Sequence, residues 1–278
     1  MKNALIVKKN SRIHLRNSEL IPVRNHRRGR RDLFPSLLLL ALLCAGLPAC
    51  QSAVQPLSVS LQLEEYPLAA APVPVPLTFQ PEATTQEAVL DRHALLREKV
   101  YQNPVTTVEG YPAMTSLGEG ELLTAVMRSA DEDPLRQIVD LKRGDVLIFS
   151  TDAGLPSPAL PQQGLWTYDN HWVLEILLAE EEIWMGEIFQ DGELINDLKG
   201  YEEAFGFQLL AGEPFFFYQR DGQLGFSFKG QETNLPYDQI PHYYCCAEDT
   251  LNPVQAEQMV AFFAQQGELW FYVELGDF

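Results

Sequence analysis

Residues 215–218 read Phe215-Phe216-Phe217-Tyr218, and residues 270–273 read Trp270-Phe271-Tyr272-Val273. In a strand, successive side chains point to opposite faces, so a run that is apolar at every position needs cover on both. Each large side chain buried contributes about 1.5–3 kcal/mol, which puts these two segments at the centre of the expected core. Working outward, Trp172–Leu178, Ile183–Phe189, Phe215–Gln219, Leu224–Phe228 and Leu269–Leu275 read as strands. Asp191-Gly192 and Asp221-Gly222 read as tight hairpin turns that need positive φ. Val146-Leu147-Ile148-Phe149, entered through the Arg143-Gly144-Asp145 turn, reads as a further strand buried on both faces. Residues 150–164, with Pro156, Pro158 and Pro161, read as a long loop.

Three segments show helical spacing. Thr84 and Glu87 form a capping box ahead of Val89, His93, Leu96 and Val100, which predicts a helix over 85–102, stopped by Asn103-Pro104. Leu122, Leu123, Val126 and Met127 predict a second helix between Gly120 and Pro134. Asn252-Pro253, followed by Ala256, Met259, Val260 and Phe263 and closed by Gly267, predicts a third. The expected fold over 84–278 is therefore one α+β domain, a largely antiparallel sheet with about three packed helices. Before it, 50–83 carries Pro56, Pro67, Pro72, Pro74, Pro76 and Pro81 and reads as a semi-rigid tether. An edge strand around Leu57–Leu63 is the alternative there.

The charge is uneven. The whole chain sums to -18, but residues 1–50 sum to +8, leaving -26 on the following 228 residues. Such a body repels phosphate backbones and anionic lipid faces, which excludes nucleic acid as a partner. Only Cys44, Cys50, Cys245 and Cys246 are present, too few for a disulfide framework. Arginines crowd residues 24–31, an apolar block runs from Leu33 to Ala49, and together they form a signal-peptide pattern over 1–49. At about 1.5 Å per residue the block is short of a bilayer's hydrocarbon core. The 32 residues ahead of it suggest a later translation start, such as Val23.

The block ends Leu47-Pro48-Ala49-Cys50-Gln51 and resembles the lipobox of a bacterial lipoprotein precursor, with Leu47, Ala49 and Cys50 at the matching positions and Pro48 departing from the usual small or aliphatic residue. Cys44, preceded by bulky Leu43, fits less well. The resemblance covers the leader alone. It implies cleavage before Cys50, acylation of that residue and an extracytoplasmic, membrane-anchored body. Two or three acyl chains hold where one only hovers, since each buried methylene contributes about 0.8 kcal/mol. Arg30-Arg31-Asp32-Leu33-Phe34 also resembles a twin-arginine export signal.

The unusual local feature of the body is His242-Tyr243-Tyr244-Cys245-Cys246. Three readings stand: two half-buried thiols at a strand end, a vicinal disulfide, or a soft metal or thiolate site with His242 as ligand or base. Two thiolates and one imidazole leave zinc a ligand short, which His93 or His171 would have to complete. Residues 144–175 resemble part of the papain-like cell-wall peptidases at Gly144, Asp145, Phe149 and His171, which implies that these residues line an active site. That family's nucleophile has no counterpart, because residues 51–244 contain no Cys. Asp169 is a nearby acid for His171, although residues so close on a strand seldom converge. Glu175, Glu187 and Glu203 offer carboxylate pairs for glycoside hydrolysis. No Gly-x-Ser-x-Gly elbow, His-Glu-x-x-His helix, calcium loop, phosphate loop or dinucleotide fingerprint occurs, and no cofactor is expected.

The sequence thus leads to a non-catalytic binding or structural lipoprotein of the cell envelope, with an envelope protein or glycan as partner. The alternative is a thiol-dependent hydrolase or redox protein using Cys245, Cys246 and His242.

Overall fold

The structure, a computed structural model, describes residues 61–72, 105–118, 120–181, 183–245, 251–256 and 258–276. All lie within one compact unit, Pro56–Phe278. In chain order the strands are β1 (Gln62–Leu68), β2 (Val105–Val108), β3 (Tyr111–Gly118), β4 (Glu121–Ser129), β5 (Gln137–Arg143), β6 (Val146–Gly154), β7 (Gln162–Tyr168), β8 (His171–Glu180), β9 (Ile183–Gln190) and β10 (Glu193–Leu194). After a short helix α1 (Ile195–Lys199) come β11 (Glu203–Leu210), β12 (Glu213–Arg220), β13 (Gln223–Phe228), β14 (Gln231–Asn234), β15 (Val254–Gln255), β16 (Met259–Gln266) and β17 (Leu269–Gly276).

They form three sheets. One has the order β1-β17-β16-β15, a second is the meander β11-β12-β13-β14, and the largest runs β10-β9-β8-β6-β5-β4-β3-β2, with β7 paired to β8. The largest sheet curls until β7 lies along β3, where the Thr167 hydroxyl donates to Leu117 O at 2.8 Å and the Gln162 amide to Pro112 O at 3.1 Å. The meander is covered on both faces. Phe215 and Phe217 meet Phe262, Val273 and Leu275 of the first sheet, whereas Tyr218 packs with Trp166, Val173 and Ile188 of the largest. The result is a nearly all-β, sandwich-like architecture, with the double cover that the aromatic runs demand.

This overturns the expected α+β fold. Among the described residues α1 is the one α-helix. The expected helix over 85–102 lies outside the described residues. The second expected helix is strand β4. There Leu123 and Ala125 point into the core while Leu122 is exposed, so the apparent helical stripe joins residues on opposite faces. The third is β15 and β16. Met259-Val260-Ala261-Phe262-Phe263-Ala264 is an unbroken apolar run whose residues divide between two cores, and an unbroken run contains every helical spacing by default.

Val146–Phe149 does begin a strand, but Val146 and Leu147 stand at a hairpin end and are mostly exposed rather than buried on both faces. That strand runs on through Gly154, so the expected loop over 150–164 shrinks to 155–161, which keeps all three prolines. Within the segment read as tether, Gln62–Leu68 forms β1 and pairs with β17.

Candidate functional site

Strand β8 is the shared wall of two cores. Trp172, Leu174 and Ile176 point into the curled sheet, and Val173 and Leu177 point the other way, toward the meander. Between the latter two sits Glu175, a fully buried carboxylate on an apolar face. Its partners come from a bulge in β11, where the register with β12 slips between Phe205 and Gln208 and Gly206 takes φ +66°. The extra residue frees two amides from the ladder. Glu175 accepts both, from Gly206 N at 2.9 Å and Phe207 N at 2.7 Å, together with the Tyr243 hydroxyl at 2.7 Å. Burial pushes this carboxyl up, against the opposing pull of the Tyr243 hydroxyl, the two amides and the His242 charge. Burial and the neighbouring Glu175 and Glu203 hold the Tyr243 phenol well above its usual range, so it remains a donor.

Tyr243 has φ +59°, a left-handed conformation costly for an aromatic residue and sustained only where its surroundings fix it. Here both neighbours are fixed. Tyr244 is clamped through its backbone by Asn252, which accepts from Tyr244 N at 2.9 Å and donates to Tyr244 O at 2.8 Å. His242 stacks on Phe205 at 3.7 Å between ring centroids, with Nδ1 2.6 Å from Ile240 O and Nε2 3.0 Å from Glu203 Oε1. Glu203 Oε1 also accepts Gly186 N at 2.9 Å. Gly186 is required there, because a Cβ would lie 2.3 Å from the Tyr243 hydroxyl oxygen and 2.4 Å from Ala204 O.

The left-handed turn sends Tyr243 inward and leaves its neighbours beside an open groove. The groove holds about 270 Å³, and Trp184, Glu203, Gln219, Gln239, His242 and Tyr244 are among its lining residues. Trp184 and Tyr244 are each about two-fifths exposed (41% and 39%). Glu203 and His242 were singled out in the sequence. Trp184, Gln219 and Gln239 were not, since three separate strands and loops bring them together and no local spacing marks them.

The other expected site residues fall as follows. Cys245 is half-buried just beyond Tyr244, and Cys44, Cys50, Cys246 and His93 lie outside the described residues. Both ring nitrogens of His242 already face oxygen acceptors, so the imidazole is committed to Ile240 and Glu203. His171 is exposed at the β7–β8 turn and pairs through Nδ1 with Asp191 at 2.5 Å, so its acid comes from the neighbouring hairpin and not from Asp169. Phe149 packs against Trp172 and Phe189 in the core, with ring centroids at 5.4 and 5.0 Å.

Glu187 is half-buried on β9, away from the Glu175 and Glu203 cluster. Burial first, then the charges of Asp197 and Asp152, raise its carboxyl to about 7. Among the described residues no three His, Cys, Asp or Glu side chains gather as metal ligands, and no helix is long and apolar enough to cross a membrane.

Chemically, the cluster is a hydrogen-bonded set beside a groove lined by rings and carboxamides, suited to holding a polar ligand. No protein-family model and no curated protein matches this chain.

Proposed function

We propose that the protein is an extracytoplasmic lipoprotein, anchored through acylated Cys50, whose folded body is a binding module of the cell envelope. The groove beside His242 carries the reading. Its lining offers aromatic faces, carboxamides and carboxylates, and the two ring nitrogens of its histidine face Ile240 O and Glu203. The arginine-headed leader and Leu47-Pro48-Ala49-Cys50 support the anchor.

Expression of the full chain in a bacterium, followed by detergent partitioning and intact mass, tests this. The wild type is expected in the detergent phase, starting at Cys50 and carrying acyl mass, and Cys50→Ser in the aqueous phase without it. A wild-type chain that stays in the cytosol, uncleaved and unacylated, overturns the proposal.

A further inference from the structure

We infer that the groove takes a neutral saccharide, stacked on the rings of Trp184 and Tyr244 and hydrogen-bonded through the carboxamides of Gln219 and Gln239. This deepens the binding-module reading and rests on it.

A pyranose ring has apolar C–H faces edged with hydroxyls that both donate and accept. Its complement is an aromatic face beside groups that also do both. Trp184 and Tyr244 supply the faces. A carboxamide presents a donor and an acceptor side by side, which matches adjacent hydroxyls. Among the described residues neither Gln219 nor Gln239 spends its side chain on a protein partner, although both line the groove.

Charge narrows the class further. A body of -26 repels phosphorylated or carboxylated ligands. Each of the groove's two carboxylates already has one oxygen engaged, since Glu203 Oε1 faces His242 and Gly186 N, and Asp238 Oδ2 accepts Gly267 N at 2.6 Å. An ammonium ligand would have to share them, so an uncharged hydroxylated ligand suits the site best.

The site is also organised in advance, which lowers the ordering cost of binding. Asn252 fixes the backbone of Tyr244, and Tyr243 is locked beneath it. At about 270 Å³ the groove lies near the lower end of small-molecule clefts, about 300–1,000 Å³, so it receives a short or terminal saccharide segment.

The test is calorimetric titration of the full chain with three neutral trisaccharides (cellotriose, maltotriose and N,N′,N″-triacetylchitotriose) and, as charged probes, glucose 6-phosphate and choline. Saturable binding of at least one trisaccharide is expected. Trp184→Ala and Gln219→Ala should each weaken it by about ten-fold or more, and His171→Ala, at a separate surface site, should leave it unchanged. Trp184 and Gln219 reach solvent, so both variants are expected to fold, which unchanged circular dichroism checks. The inference is overturned if no trisaccharide binds, if binding ignores both substitutions, or if only a charged probe binds. Partitioning and acylation are read separately, so a groove without sugar affinity leaves the anchored module standing.

Discussion

The Tyr243 hydroxyl donates to the Glu175 carboxylate at 2.7 Å, joining residues 68 positions apart inside the protein. Glu175 comes from the largest sheet and its two amide partners from the meander. The carboxylate therefore ties two layers together and pins the turn that shapes the groove. Removing the donor leaves a buried acceptor short of a partner. Tyr243→Phe is expected to lower unfolding free energy by about 1.5–3 kcal/mol in a denaturant titration and to speed hydrogen exchange at Gly206 and Phe207. A loss below about 0.5 kcal/mol contradicts the tie.

Gly186 lies against the same hydroxyl. Gly186→Ala forces a methyl group to within 2.3 Å of it and 2.4 Å of Ala204 O, and is expected to cost about 1–3 kcal/mol. The double variant Gly186→Ala/Tyr243→Phe should lose less than the sum of the single losses, because the phenylalanine removes one of the two clashing atoms. Strict additivity in thermal or chemical denaturation places the clash elsewhere.

Glu187 gives a pH signature. Its carboxyl titrates near 7 in the fold and near 4.5 when unfolded, so between those values the folded state binds more protons and stability falls as pH rises. Its favourable contribution is complete below about 4.5 and lost by the time pH passes 7. Glu187→Gln should match the wild type near pH 4, exceed it in stability near pH 8, and flatten the decline between. Parallel wild-type and variant curves across that range rule this out.

The exposed His171–Asp191 pair should matter little for stability. His171→Ala is expected to change unfolding free energy by less than about 1 kcal/mol. Asp191→Ala should cost more, since Asp191 also accepts Trp172 N at 3.1 Å. Equal losses in the two variants overturn that ranking.

Legibility followed burial pattern. The runs around Phe215 and Trp270 announce strands covered on both faces, and Asp191-Gly192 and Asp221-Gly222 announce hairpins. In the structure all four turn residues have positive φ. Helical spacing misled where apolar residues were dense. In β16 an uninterrupted run satisfies strand and helix alike, and in β4 exposed Leu122 completes a stripe that never faces one core. Asn252, expected to cap a helix, instead clamps Tyr244 from both sides, a tertiary use that no neighbour in sequence reveals.

The site was half-visible. His242 and Tyr243 stand out as an unusual run, and Glu203 and Glu175 as isolated acids. Their convergence depends on a bulge at Gly206 and a left-handed Tyr243, which local spacing does not encode.

Whether His242 serves the groove or the thiols is checked by alkylation. Iodoacetamide is reacted at neutral pH with the native full chain and with His242→Gln, and modification is mapped at Cys245 and Cys246. Both proteins are expected to react at the same slow rate, that of unactivated thiols. A fast reaction that slows by about ten-fold or more without His242 contradicts it and restores the thiol-dependent mechanism.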